Sequence, residues 1–456
     1  MTQIFLGRGA VVVENPTRNI KEGLRRFVHT RRGGEYENLY FMSQSGDTMS
    51  TLPGYASRVI GLCPEAKIRD ERIPMPCALM GYAVEGLHEL WHDVVADAIK
   101  AGGGVVAIPE MFGSARMAAA IARAFPRQGL VDRGTPLTII AARDRESVRR
   151  TAFELREMLP GRDIGMWSSG SRTDSDDIIV STYGMLQELP LHSVGIFIGD
   201  DLTEGNFDER AEGISGIRNA ARWGIYTTPA GWCECVNIDI EGLFGPLVAS
   251  ATYRQAVDAG VGVPITVCWM DAPRPDAQLG SAPLDSMEAT SMQKNQPFVQ
   301  MVADIVRRTS NDIGCIVCTE PIDMVRSLKK LMPELAEINR KVPAKERRGL
   351  IEGLAGGTIR KAVVTSGCWP LATSHGVMVV ATCKAGDVSG WRIPWRHLKS
   401  QGDRAFIVDF RHGWDVNNGC PGVLVRNDGA RERRYRELGF NQITVSSINE
   451  LPFIGG

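Results

Sequence analysis

Apolar runs alternate with helical patterns along most of this chain. Continuous apolar runs with the length of strands lie at 104–109, 137–142, 178–180 and 195–198. Segments with apolar residues at helical spacing lie between them, at 115–125 and at about 146–159. Because strands that are apolar throughout are usually buried on both faces, this order predicts a parallel sheet covered by helices on both sides.

The pattern predicts two such α/β lobes, preceded by a smaller α+β region. A second series of helices and strands begins near Gln296, after a segment whose Pro, Ser, Asp and Met content is typical of a linker. The first 80 residues carry short strand-like runs and many turn signals. We therefore predict an N-terminal accessory domain at 1–80, a first lobe at 81–270, a linker at 271–296 and a second lobe at 297–456.

Composition narrows the classes of function only slightly. The formal net charge of −1 argues against a protein that binds polyanions over its whole surface, although it allows a local basic site. The ten cysteines form no regular framework, which predicts buried thiols in a reducing compartment such as the cytoplasm. No apolar stretch approaches the length of about 18 residues that a membrane span requires, so we expect no membrane partner.

Nine segments resemble, in order and spacing, the motifs of superfamily 2 helicases, nearest the branch of UvsW-like and XPB-like proteins. They are Trp91-His92 (adenine recognition), 105–117 (strand, P-loop and helix), 137–144 (motif Ia), 177–183 (motif Ib), 198–203 (the DEAH-type position), 226–229 (motif III), 241–264 (the crossing between lobes), 363–365 (motif V) and 391–398 (motif VI). The crossing between the lobes is the most specific of these matches. It carries no catalytic function, yet it matches the family in order and spacing. The resemblance covers residues 87–440 and implies two RecA-like lobes.

The resemblance also implies a nucleotide site, but residues that such a site requires are replaced in this sequence. A P-loop needs a Gly-rich backbone, a Lys for the β- and γ-phosphates and a Ser or Thr for Mg²⁺. Ser114 and Ala115 stand at the Lys and Thr positions, and no lysine lies between Lys100 and Lys294. The expected vestige of the nucleotide site consists of Trp91, His92, Pro109, Gly113, Ser114 and Arg116.

The catalytic motifs depart from the family as well. In the family the first acid of the DEAH-type position holds Mg²⁺ through water and the second polarises the attacking water. Asp200 and Asp201 occupy these places, but Asp201 is one methylene shorter than Glu. An acidic turn is the alternative interpretation of this pair, and the sequence leaves both open. Motif VI keeps Arg392 but has Pro394 and Trp395 where a Gly and a second Arg belong.

Five residues fall where family members touch the phosphate backbone of a nucleic acid. They are Arg143, Ser181, Thr182, Tyr183 and Thr365. Contacts of this kind bind without reading the base sequence. Ordinary capping or turn chemistry is the alternative explanation for each of them.

The departures together predict a helicase-like pseudoenzyme. We expect it to lack ATP hydrolysis and to act as a nucleic-acid-associated or structural subunit, in the cytoplasm or, if a phage encodes it, within a virion. Its expected partners are the nucleic-acid backbone, the protein subunits of a larger assembly, or both. No cofactor and no metal are expected; ATP and Mg²⁺ enter only under the alternative, an active ATP-dependent helicase or translocase with an atypical site.

Overall fold

A computed structural model shows the chain as two compact units, residues 1–252 and 253–456. It describes all residues except 8, 31–32, 39–42, 73–88, 110–111, 126–136, 201, 203–210, 212, 215, 218–219, 228–239, 261, 277–285, 288, 320–321, 366–375, 382–403, 418–419 and 455–456. Within the described part of the chain, no helix combines the length and the apolarity that crossing a membrane requires.

The N-terminal region forms a small mixed sheet with two short helices. Its elements are β1 (Gln3–Leu6), β2 (Val11–Glu14), α1 (Arg18–Gly23), β3 (Arg25–Thr30), β4 (Gly33–Asn38), β5 (Ser43–Ser45), β6 (Thr48–Thr51), α2 (Ala56–Leu62) and β7 (Lys67–Asp70). Five strands pair in the order β5-β6-β2-β1-β7, and β3 and β4 form a separate hairpin. The α+β character predicted for this region is confirmed.

The N-terminal sheet shares one hydrophobic core with the lobe that follows it. Ile4 and Tyr55 belong to the same buried cluster as Phe197 and Phe244. The backbone of Gly54 lies against the backbone near Glu241, so that an added Cβ atom on Gly54 would lie 1.8 Å from the carbonyl oxygen of Glu241. The described part of the predicted accessory domain at 1–80 therefore shares buried core residues with the first lobe.

The first lobe is a parallel sheet with helices, as the apolar runs predict. Its elements are α3 (Glu89–Ala101), β8 (Gly104–Ile108), α4 (Ser114–Ala124), β9 (Leu137–Ala142), α5 (Arg145–Met158), β10 (Ile164–Ser168), β11 (Ser171–Thr173), β12 (Ile178–Thr182), β13 (Val194–Gly199), β14 (Ala221–Thr227) and β15 (Leu247–Ser250). The strand order is β11-β10-β12-β9-β13-β14-β8-β15. Only the edge strand β11 is antiparallel to its neighbour. Helix α4 is Ala-rich and almost entirely buried, because its small side chains let it pack closely against α3 and α5.

The second unit contains a seven-stranded sheet whose strand pairs are all parallel, and a separate short antiparallel pair. Its elements are α6 (Tyr253–Asp258), β16 (Ile265–Asp271), α7 (Gln296–Arg308), β17 (Cys315–Thr319), α8 (Ile322–Leu331), β18 (Ala336–Ile338), α9 (Ala344–Ala355), β19 (Lys361–Thr365), β20 (Val377–Ala381), β21 (Ala405–Arg411), the short pair β22 (Val416–Asn417) and β23 (Cys420–Pro421), α10 (Val423–Glu437) and β24 (Asn441–Thr444). The strand order is β18-β19-β17-β20-β21-β16-β24. Two parallel-sheet lobes of this kind confirm the predicted RecA-like α/β class.

Two predicted boundaries differ from the sheet pairing. The predicted first lobe at 81–270 includes almost all of β16, but this strand pairs with β21 and β24 in the second unit, and its residues Cys268 and Met270 belong to the buried core there. The segment predicted as a linker at 271–296 carries Met287 and Met292, both buried in that same core. Asn295 also caps α7 and donates to the carbonyl oxygen of Pro273 at 2.7 Å. The described part of this segment is thus packed into the second unit.

Candidate functional site

The carboxyl ends of five neighbouring strands meet along one edge of the first sheet. Strands β12, β9, β13, β14 and β8 pair in parallel in this order and end at Thr182, Ala142, Gly199, Thr227 and Ile108. Ligands of open parallel sheets bind beyond the carboxyl ends of the strands. The residues that follow these strands therefore form the candidate site.

The turn from β8 into α4 occupies the P-loop position. Gly113 has a φ of +85°, a left-handed backbone that favours glycine at this turn. Ser114 is the first residue of α4 and only 5% exposed, whereas Arg116 is exposed. The structure thus brings Pro109, Gly113, Ser114 and Arg116 together in one strand-to-helix turn, but it places the Ser114 side chain inside the protein.

A contact that the sequence did not predict lies beside this turn. The ring centroids of Trp91 and Phe112 are 4.2 Å apart, with their planes inclined by 47°. Trp91 is 5% exposed and Phe112 is 1% exposed. The resemblance assigns Trp91 and the neighbouring His92 to adenine recognition, but here Phe112, from the P-loop position, covers the ring of Trp91.

Asp200 follows β13 and is buried at the same edge. Its backbone N–H donates to the carbonyl oxygen of Ala141 at 2.7 Å, which ties it to the end of β9. Its carbonyl oxygen accepts a hydrogen bond from the Tyr183 hydroxyl at 2.9 Å. Position 199, just before Asp200, requires glycine, because an added Cβ atom there would lie 2.4 Å from the ring of Phe244. The second predicted acid, Asp201, lies outside the described residues.

Two of the predicted nucleic-acid residues lie on adjacent strand ends. Thr182 is the last residue of β12, directly opposite Ala142 of β9, and Arg143 comes next along the chain. Arg143 contacts Asp144, with 3.3 Å between its Nε atom and Oδ2. Burial works against the charge on Asp144, but the hydrogen bond from the Ser147 N–H and the charge of Arg143 outweigh it and lower the pKa of this carboxyl.

Ser181 and Tyr183, two of the residues predicted to contact a nucleic acid, point into the protein. Both side chains are buried, because the residues face inward while Thr182, between them, is half-exposed. Ser181 donates to the carbonyl oxygen of Thr182 at 3.1 Å, and the hydroxyl of Tyr183 is engaged with Asp200. As the structure places them, neither side chain is available to a phosphate group.

Arg145 is a basic residue at this edge that the sequence reasoning missed. It is the first residue of α5, is exposed, and its guanidinium reaches the turn between β10 and β11, 3.6 Å from where a Cβ atom on Gly170 would lie. Its position two residues after Arg143, at the start of a helix next to a strand end, was the available signal.

The remaining predicted residues belong to the second unit. Thr365 is the last residue of β19 and is largely buried, and Arg392 lies outside the described residues. Cys315 and Cys318, three positions apart on β17, point to opposite faces of the strand and form no chelating pair. Burial raises the pKa of Cys315 to about 12 and that of Cys318 also well above its ordinary value, so both thiols are protonated at neutral pH. Across the described residues, no group of three His, Cys, Asp or Glu side chains could hold a metal ion.

A buried polar cluster in the second unit was also missed by the sequence reasoning. It consists of Asp409 on β21, His412 after it, and Asp428, Arg431 and Tyr435 on α10. Arg431 donates to both carboxylates at 2.9 Å, and the Tyr435 hydroxyl donates to Asp409 at 2.9 Å. The signal for it was Asp409 within an apolar strand, together with polar residues at positions i, i+3 and i+7 of the following helix.

We predict that Tyr183→Phe loosens the strand-end edge. The substitution removes the hydroxyl that donates to Asp200 and leaves a buried carbonyl oxygen short of one partner, which costs about 1–3 kcal/mol. Chemical denaturation should show this loss for the first unit, and hydrogen exchange should be faster at the amide of Asp200. An unchanged exchange rate at that amide would show that the Tyr183 hydroxyl does not hold Asp200 in place.

Comparison with known proteins gives the fold. No protein-family model and no curated protein matches the chain. The structure of S. cerevisiae Dbp5 bound to RNA and ADP BeF3 is similar over 78% of this chain and 89% of that chain, at 11% identity and a TM-score of 0.52. A fragment described as an HsdR subunit of a type I restriction enzyme from Vibrio vulnificus YJ016 is also similar. The match covers 77% of this chain and 67% of that chain, at 15% identity and a TM-score of 0.55.

A third solved structure extends the comparison to DNA. The ATP-dependent type ISP restriction-modification enzyme LlaBIII bound to DNA is similar over 80% of this chain but only 31% of its own, at 10% identity and a TM-score of 0.56. This chain therefore shares the fold of these proteins, with parallel-sheet α/β lobes. At these identities the likeness concerns the fold and leaves the activity open.

Proposed function

We propose that this chain is a helicase-like pseudoenzyme that binds the backbone of a nucleic acid and does not hydrolyse ATP. The observation that carries the proposal is the contact between Phe112 and Trp91 at the P-loop position. The ring of Trp91, which the resemblance assigns to adenine recognition, is packed here against Phe112 inside the protein.

The residues of the P-loop position do not fit a nucleoside triphosphate. A P-loop presents backbone N–H groups and a lysine to the phosphates. Here the first residue of α4 is the buried Ser114, and the first unit has no lysine after Lys100. Arg116 is exposed, but an arginine does not replace the P-loop lysine conservatively. The loss of hydrolysis follows from this set of departures together.

The carboxyl-end edge of the first sheet carries groups that can contact a phosphate backbone. Thr182 and Arg143 lie at neighbouring strand ends, and Arg145 begins helix α5 two residues later. Together they carry two guanidinium groups and a hydroxyl. Such groups fix the register of a nucleic acid without reading its bases. Support comes from the fold, since Dbp5 is bound to RNA and LlaBIII to DNA in the similar structures.

We predict weak-to-moderate binding that is independent of sequence and falls steeply with salt. Released counterions drive contacts of this kind, so each phosphate contact contributes about 0.9 to the slope of log K against log salt for duplex DNA and about 0.7 for single strands. Arg143→Ala combined with Arg145→Ala should weaken binding and lower that slope by about 1–2. Fluorescence anisotropy with labelled single-stranded and double-stranded DNA and RNA, over a range of salt, measures both effects.

A matched control is Arg18→Ala, which removes an exposed arginine from α1 in the N-terminal region and should leave the slope unchanged. Tight binding to one sequence that resists salt would contradict the proposed backbone contacts. Absence of binding at low salt would instead favour the structural-subunit interpretation, in which the two lobes join a larger protein assembly, such as that of a phage particle.

A further inference from the structure

The hairpin of β10 and β11 places an arginine over a tryptophan ring. Trp167 of β10 and Arg172 of β11 are direct partners in the antiparallel pairing of these strands. The Cζ atom of Arg172 lies 5.2 Å from the centroid of the Trp167 ring. Cross-strand partners present their side chains on one face of a sheet, so the register of the hairpin builds this arrangement.

A carboxylate fixes each member of the pair. The Trp167 Nε1–H donates to Asp174 at 3.0 Å, and the guanidinium of Arg172 forms an ion pair with Glu188. Trp167 is half-buried against the core of the first unit, whereas the side chain of Arg172 is 52% exposed. The guanidinium therefore has the ring on one side and solvent on the other.

The pair lies beside the groups that we propose contact phosphate. Strand β10 pairs in parallel with β12, the strand that ends at Thr182, and Trp167 is the second-last residue of β10. The guanidinium of Arg145 lies close to Gly170 in the turn between β10 and β11. Arg172 follows Gly170 by two residues, which span at most about 7 Å of chain. The pair is thus at the same edge of the sheet as the proposed phosphate contacts.

We propose that Arg172, held over Trp167, is a stacking platform for a nucleobase, so that this edge holds a single strand with at least one base turned out of its stack. The inference rests on the backbone binding proposed above and adds the form of the nucleic acid. Guanidinium planes stack with splayed bases, whereas the paired bases of a duplex are not available to such a surface. Stacking accepts any base, which agrees with binding that is independent of sequence.

The fixed position of the guanidinium favours a role in binding. An exposed ion pair such as that of Arg172 with Glu188 contributes little to the stability of a protein. A side chain that is already held in place loses less conformational entropy when a ligand arrives, so the same contacts strengthen binding. The ring and the ion pair together hold the long side chain of Arg172 for the base.

The test uses the full chain and two labelled oligonucleotides of equal length, a dT single strand and the same backbone with abasic sites throughout. Both carry the same phosphates, so the backbone contacts are equal and the bases alone distinguish the two strands. In fluorescence anisotropy, the wild-type chain should bind the dT strand at least about fivefold more tightly, the lower end of what one stacked base contributes.

Arg172→Lys separates stacking from charge, because lysine keeps the positive charge but has no guanidinium plane. This variant should lose the preference for the dT strand and keep the wild-type dependence of binding on salt. Arg69→Ala is the matched control, since it removes an exposed arginine that is paired with Glu71, and it should leave the preference unchanged. Unchanged far-UV circular dichroism and melting confirm that both variants are folded.

The outcomes distinguish this inference from the proposed function. Equal affinity of the wild-type chain for the two strands, with the steep salt dependence intact, would overturn the stacking platform and leave the backbone binding in place. A preference for the dT strand that survives Arg172→Lys would also overturn it, because another group would then contact the base. Absence of binding to both strands at low salt would overturn the proposed backbone binding and this inference together.

Discussion

Arg431→Leu is expected to lower the free energy of unfolding of the second unit by about 3–5 kcal/mol, the usual cost of removing one partner from a buried ion pair. The guanidinium of Arg431 donates to Asp409 through Nε at 2.9 Å and to Asp428 at 2.9 Å. Leucine leaves two carboxylates buried without a cation. Burial already raises the pKa of Asp409, and the charge of Arg431 is the main influence that opposes this rise. Urea denaturation measures the loss.

A matched control lies on the same helix. Arg436 is 69% exposed and contacts Glu432 at 3.3 Å, so Arg436→Leu should change the stability by no more than about 1 kcal/mol. Arg431→Lys adds a second comparison, because lysine keeps the charge but cannot form the forked contacts to two carboxylates. The free energy of unfolding of Arg431→Lys should lie between the values for the wild type and for Arg431→Leu. Equal losses for Arg431→Leu and Arg436→Leu would show that the buried cluster contributes nothing beyond an ordinary surface pair.

The apolar runs of the sequence were sufficient to predict the sheets. Strands such as β8 and β9 are largely apolar segments of strand length, and burial on both faces is the physical reason for that pattern. Lobe boundaries were harder. Strand β16 follows the first lobe directly in sequence, yet it pairs in the second unit, and an apolar run alone does not identify its neighbours.

The candidate site was predictable in place but not in detail. The motif spacing pointed to segments that end at one edge of the sheet, and the structure places Thr182 opposite Ala142, the residue before Arg143. Their contact with a nucleic acid stays a prediction. It did not show which side chains face inward, because Ser181 and Tyr183 are polar residues buried through local hydrogen bonds. The packing of Phe112 was missed for a related reason: it lies in a short turn, which has no periodicity to analyse.

The largest functional effect that we predict is the absence of ATP turnover. Phosphate release from Mg-ATP should equal that of buffer, with or without DNA or RNA. Loss of one charge-stabilising donor commonly lowers the rate by about 10²–10³, and loss of an arginine finger by about 10³–10⁵. Even with the non-additivity of such effects, their combination leaves turnover near background. Asp200→Asn should therefore leave the measured rate unchanged.

The same physical reasoning predicts that one substitution does not restore hydrolysis. Ser114→Lys introduces the missing charge, but it does so at a buried helix position, while Phe112 still covers Trp91. Phe112→Ala combined with Ser114→Lys uncovers the ring and is expected to improve binding of a fluorescent ATP analogue without producing turnover, because Trp395 still stands at the arginine position of motif VI. Wild-type turnover that Asp200→Asn abolishes would overturn the pseudoenzyme proposal and would mean that Arg116, or a residue of a partner, supplies the missing positive charge.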